Sequence, residues 1–312
     1  MGQIVKKLPV PIVGLMLALA ALGNLIQSYG NGLRNLMGIC SGIILLLVII
    51  KIVKYPKGVK EALENPVVAS VFPTITMGTM LLATYLKPYI STFALILWLG
   101  SIALHIILMI LFTKKFVLNF NMKKVFPSWY IVYVGIAVAS VTSAAFEMQT
   151  LGKIIFWFAF ISYLVLLPII LKRVFVVKEI PEPALPTITI LSAPASLCLA
   201  GYMNSFANKN MIIVWILLAL SQVTYIAVLA YMPKLLSLKF YPSYSGFTFP
   251  LVISAMSLKL TNGFLVKAGT PIPALKYLVN FEELAAVIIC LYVLFRYIGF
   301  VFGKEVNVTK PA

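Results

Sequence analysis

Apolar residues in this chain come in long blocks rather than in alternation. Runs of roughly twenty residues, enough to cross a hydrocarbon core as a helix, lie at about 8–29, 34–53, 66–86, 89–112, 128–146, 150–171, 184–204, 211–232, 243–262 and 278–302. Short polar connections separate them. The blocks predict ten transmembrane helices in a single transmembrane domain over 1–312, an all-α polytopic membrane protein.

The odd-numbered blocks open alike: "LPVPIVG" at Leu8, "NPVVASVFP" at Asn65, "FPSWYIVYVG" at Phe126, "LPTITILSAP" at Leu185 and "YPSYSGFTFP" at Tyr241. Their leading prolines, Pro9, Pro66, Pro127, Pro186 and Pro242, stand 57, 61, 59 and 56 residues apart. The period predicts five helical hairpins at about 8–53, 66–112, 128–171, 184–232 and 243–302. Proline suits a first helical turn, where its missing N–H leaves no bond unmade. Pro73, Pro194 and Pro250 follow seven or eight residues later and are expected to kink their helices. Lipid tolerates freed backbone groups only where protein or a wet cavity receives them. The odd helices are therefore expected inside and the even, greasier helices outside, around a central pore.

Small and hydroxyl residues recur on the odd helices. Gly14, Ala18, Ser70, Thr74, Ser140, Ala144, Ser192 and Ser196, with Val252 and Met256 in the last odd block, are the pore-lining candidates. Close helix packing by small residues explains any one of these helices equally well. Their strict alternation with greasy helices favours an inner ring.

Charge then narrows the chemistry. The chain is 62% hydrophobic, with 25 Lys and Arg, eight acids that are all Glu, one His and a net charge of +17. In a soluble protein that balance would suggest nucleic acid; here cationic loops orient the protein against lipid headgroups, and no nucleic-acid partner is expected. Counting the termini and the connections after even helices as one side places eighteen cations there and seven on the other, which puts both termini in the cytoplasm of a plasma-membrane protein. The acids, Glu282 and Glu283 included, are read as lying in or beside connections, and His105 falls within a greasy helix. Cation carriers and proton relays ordinarily place carboxylates or His within the membrane, so anions or neutral solutes fit better. Cys40, Cys198 and Cys290 are scattered, and no metal site, cofactor or nucleophile–base pair is legible, which argues against an enzyme. Lys259 has two readings, snorkelling to the outer interface or drawing anions to an outer mouth, with Glu147 as a candidate partner.

The motifs "ENPVVASVFPTITMGTMLL", "PSWYIVYVGIAVAS", "LPTITILSAPASLCLAGY" and "SGFTFPLVISAMS" resemble the tellurite-resistance/dicarboxylate transporter (TDT) family, which includes bacterial TehA and the slow-type (SLAC-type) anion channels of plants. The resemblance implies five hairpins around a pore, a homotrimer with one pore per protomer, and an occluding phenylalanine from the ninth helix. By the "TFP" match that residue is Phe249, with Phe247 as the fallback. It implies a passive anion channel or uniporter; the alternative is a secondary carrier of C4-dicarboxylates or related oxyanions of the tellurite or sulfite type, proton-coupled or not.

Overall fold

The computed structural model describes residues 2–303; Lys304, Glu305 and Lys310, counted in the charge reading above, lie outside them. The described residues form helices α1 (Val10–Tyr29), α2 (Asn31–Lys54), α3 (Pro66–Leu86), α4 (Ser91–Val117), α5 (Trp129–Tyr133 with Gly135–Phe146), α6 (Gln149–Val177), α7 (Glu182–Ser205), α8 (Met211–Leu236), α9 (Pro242–Lys267) and α10 (Pro273–Phe302). All but α5 are long and apolar enough to cross a membrane. We call the face carrying the short helix Gly2–Lys7 and the leading prolines the near side, and the opposite face the far side.

The inner and outer helices separate by burial. The most apolar window is 89% buried in α1, 61% in α3, 83% in α7 and 61% in α9, against 22–33% in α2, α4, α6, α8 and α10. The even helices thus turn most of their apolar surface outward, as chains in lipid do. The five hairpins form one ring of inner helices within an outer ring, as the sequence period predicts.

The prolines work differently from the expected mid-helix kinks. Pro66 occupies the first turn of its helix, capped by Asn65 Oδ1, which accepts from the amides of Val67 (2.9 Å) and Val68 (3.3 Å). Pro73 then falls at a break between Pro66–Val71 and Thr74–Leu86. Pro194 and Pro250 each sit in the first turn of a fresh α-helix, Ala193–Ser205 and Thr248–Lys267, preceded by the 3-10 stretches Glu182–Ser192 and Pro242–Phe247. Each second proline therefore meets a position whose amide has no carbonyl four residues back. The change of helix type replaces a kink.

Neighbouring hydroxyls receive the carbonyls these junctions strain. Thr74 Oγ1 donates to Val71 O (2.8 Å), Thr76 Oγ1 to Pro73 O (2.7 Å), Ser192 Oγ to Thr189 O (3.0 Å) and Thr248 Oγ1 to Ser245 O (2.7 Å). Others tie helices together. Ser196 Oγ lies 2.7 Å from Ser221 Oγ and 2.9 Å from Ser254 Oγ, joining α7, α8 and α9; Ser70 Oγ meets Ser128 Oγ at 2.6 Å between α3 and α5. In α5, Ser140 Oγ donates to Gly152 O (2.8 Å) and Ser143 Oγ lies 3.1 Å from Ser205 Oγ. This density of small residues and back-bonded hydroxyls accompanies the breaking of α5 into short α and 3-10 pieces, where the sequence suggested one helix over 128–146.

One expectation fails outright. Glu282 and Glu283 lie in the third turn of α10, 1% and 4% exposed, because that helix begins at Pro273 rather than near 278.

Backbone proximity explains individual glycines. A Cβ on Gly23 of α1 would stand 2.8 Å from the Arg34 carbonyl of α2 and 2.3 Å from Tyr85 Oη, whereas one on lipid-facing Gly100 meets nothing within 4 Å. Gly23→Ala is expected to cost about 1–3 kcal/mol by overpacking, while Gly100→Ala stays near wild type. Thermal unfolding of the two purified variants in detergent checks this; equal melting temperatures would remove the close α1–α2 contact as a constraint.

Candidate functional site: an axial path of three cavities

Three cavities follow one another between the inner helices; every inner helix lines the central and far-side ones, and the near-side one is lined by α1, α3, α7, α9 and the segment before α5. The near-side cavity, about 550 Å³, is walled by the leading segments of the hairpins, including Pro9, Pro66, Phe126, Pro183 and Pro242. The central cavity holds only about 40 Å³, and the far-side cavity about 350 Å³. Phe249 of α9 and Leu197 of α7 border both the central and the far-side cavities. These two side chains stand where the path is narrowest.

The repeat fixes this constriction. Counting eight residues on from each leading proline reaches Leu17, Thr74, Gly135, Pro194 and Pro250, and all five line the central cavity. One residue earlier the same count reaches Met16, Pro73, Val134, Ala193 and Phe249, so one hairpin alone carries an aromatic there. Phe249 is 7% exposed.

The constriction has little to offer a charge. Thr74 spends its hydroxyl proton on Val71 O, and Ser245 Oγ donates to Pro242 O at 3.3 Å. Tyr130, 2% exposed at the same cavity, has a hydroxyl with no hydrogen-bond partner among the described residues. A solvated ion would shed most of its water here for few replacement contacts, at a cost of several kcal/mol or more.

Charge gathers at the two mouths instead. Lys6, Lys7 and Lys51 line the near-side cavity, with Lys51 Nζ donating to Lys6 O (2.8 Å) and Val5 O (3.3 Å). Arg34 lines the far-side cavity with Asn24, Gln27 and Asn204. Among the described residues, no acid stands in the wall of any of the three cavities.

The sequence candidates divide. Gly14, Thr74, Pro194 and Pro250 line the central cavity, Val252 and Met256 the far-side one. Ser70, Ser140 and Ser196 lie in helix–helix hydrogen bonds, Ser192 back-bonds its own helix, and Ala18 is wholly buried; none borders these cavities, nor does Ala144 or Pro73. Phe247 is fully buried against Tyr244, their ring centroids 4.7 Å apart. His105 is likewise buried, with Nδ1 2.7 Å from Thr76 Oγ1 and Nε2 3.2 Å from Val132 O, bridging α4 to α3 and α5.

Lys259 does not pair with Glu147. Its ammonium donates to Glu283 Oε1 (2.6 Å), Leu25 O (2.8 Å) and Ser28 Oγ (2.8 Å), while Glu147 faces Lys87 at 3.9 Å. Tyr29 Oη completes the cluster by donating to Glu283 Oε2 (2.8 Å). Lys259 is therefore a clamp between α9, α10 and the end of α1, with its charge offset. Arg34, Tyr130 and Leu197 went unnoticed in the sequence. Arg34 alone had a legible signal, being the one arginine among the seven far-side cations.

Among the described residues, nine helices long and apolar enough to cross a membrane make this a multi-pass membrane protein, and cations at both mouths, with no acid in the cavity walls, fit anion transport. The chain belongs to the voltage-dependent anion channel (SLAC1) family, whose model matches residues 7–298. It is also similar to an uncharacterized transporter of Methanocaldococcus jannaschii, at 27% identity with 70% of this chain and 71% of the relative covered.

The clamp yields a stability expectation. Glu283→Ala leaves Lys259, 31% exposed, without its carboxylate. The loss should be about 1–3 kcal/mol, less than for a fully enclosed ion pair because water still reaches the ammonium. Lys259→Met in the same chain should recover part of it. Denaturation of the single and double variants measures both, and an unaffected single variant would dissolve the clamp.

Proposed function

We propose that the protein is a passive anion channel or uniporter whose axial path is closed by Phe249. The observation that carries this reading is the position of Phe249, between a 40 Å³ cavity and a 350 Å³ cavity on one axis. An apolar plug at a constriction poor in donors blocks ions by dehydration. Lysines at one mouth and an arginine at the other raise local anion concentration at both ends. Movement of one ring, by rotamer change or by a shift of α9, then joins the two cavities. A carrier of C4-dicarboxylates or related oxyanions is the second reading, favoured by the guanidinium at the far mouth; it requires saturable flux in place of ohmic current. The cation bias supports a near side facing the cytoplasm of a plasma-membrane protein, and family likeness supports a homotrimer with one path per protomer.

Phe249→Ala should raise anion current through the reconstituted protein on the order of tenfold or more, corresponding to about 1.4 kcal/mol or more removed from the barrier. Phe247→Ala, which empties a packed site off the axis, should lower thermal stability and leave current unchanged. Planar-bilayer recording of both variants, each first shown monodisperse, reads the contrast. Wild-type current from well-folded Phe249→Ala would end the gate assignment.

A further inference from the structure

The far-side cavity holds a charge, that of Arg34, which no described residue neutralises. We infer that Arg34 is the recognition group of a site for planar oxyanions, with a small carboxylate as the type ligand. The inference rests on the reading that anions travel this axis, and it adds which anion chemistry the far mouth selects.

Arg34 stands in the first turn of α2, in the wall of a cavity whose inner end is formed by Phe249, Val252 and Met256. Its guanidinium is held on three sides by neutral groups. Nε donates to Asn24 Oδ1 (2.9 Å), Nη2 reaches Thr84 O (3.4 Å), and the plane lies over the Tyr85 ring at 4.1 Å. No carboxylate lies within ion-pair distance of it among the described residues. On the same side Lys87 has Glu147 and Lys259 has Glu283. Lys153, Lys209, Lys267 and Lys276 show no ion pair among the described residues, but of all these cations Arg34 is the one in the cavity wall.

Donors remain unused at this site. Arg34 Nη1 makes no hydrogen bond among the described residues, and neither does Asn24 Nδ2, because Asn24 meets Arg34 through its oxygen. A guanidinium with its plane fixed by an aromatic face and an amide has already lost much of its rotamer freedom, so little more is lost when a ligand docks. A carboxylate or similar flat oxyanion can take two parallel N–H groups from such a fork, whereas a spherical halide gains only its point charge.

The test compares acetate with chloride. In planar bilayers, with Phe249→Ala as the conducting background, bi-ionic reversal potentials give the acetate-to-chloride permeability ratio. Adding Arg34→Lys, which keeps the charge and removes the fork, should lower that ratio about tenfold, the effect of one lost charge-assisted contact, with chloride current retained. Arg34→Gln should lower the ratio as far and reduce chloride current as well. An unchanged ratio in conducting Arg34→Lys protein overturns the assignment. Failure of Phe249→Ala to conduct refutes the gate and not this site, which a second readout then decides. Acetate should raise the melting temperature of wild-type protein above that in chloride of equal ionic strength, by linkage to binding, and should not do so for Arg34→Lys. Equal stabilisation of the two proteins overturns the site.

Discussion

Every carbonyl freed inside the membrane must find a donor within the protein, because lipid supplies none. The rest of this architecture follows from how the inner helices meet that demand. Each begins at a proline, and three restart near a second one, so each junction brings together carbonyls that regular α-helical bonding would have used. Hydroxyls take them up, as Thr74 Oγ1 does for Val71 O and Thr189 Oγ1 for Gly246 O, the carbonyl four residues before Pro250. Such residues are held between helices, and the interrupted helices therefore become the inner ring. The outer helices are interrupted less, by Pro168 in α6 and Pro233 in α8 near their near-side ends, and face lipid.

The same demand decides what the axis looks like. Hydroxyls that might have wetted a path are spent on backbone and on one another, as in the cluster of Ser196, Ser221 and Ser254. What reaches the constriction is mainly glycine, proline, aliphatics and Phe249, with Thr74, Ser245 and Tyr130 the polar exceptions. Charge survives only at the mouths, where water can also hydrate it, and among the lining residues there it is cationic. In the proposed reading, anion preference and closure thus come from different places: the mouths choose the sign of charge, and the dry middle stops its passage.

How much could be read from the chain depended on whether a signal was local. The leading prolines recur at a fixed period, and that period revealed the hairpins and the inner–outer alternation. Phe249 was reachable because a short motif surrounds it. The lining serines were misplaced because spacing shows which residues share a helix, not which face meets the axis; Ser196 and Thr74 look alike in sequence and differ by a neighbouring hydroxyl. Glu283 and Lys259 lie 24 residues apart on two helices and meet Tyr29 from a third. Such a cluster has no period and no motif. Arg34 escaped for the same reason: its importance comes from the absence of an acid nearby, which only the folded arrangement can show.

The five-fold quasi-repeat also bears on why one aromatic suffices. Equivalent positions from all five hairpins converge on a cavity of about 40 Å³, so bulk added at every copy would fill the axis with a close-packed core. Packed cores resist displacement, since side chains that interdigitate must move together. The other hairpins place Met16, Pro73, Val134 and Ala193 at the count where α9 places Phe249. With one aromatic among them, the proposed closure leaves the displacement of Phe249 independent of a second ring. In the gate proposed above, opening then depends on α9 alone, and α9 is the inner helix that the Lys259–Glu283 contact fastens to α10 and the end of α1. The ring supplies a rigid frame, and one helix carries the moving part.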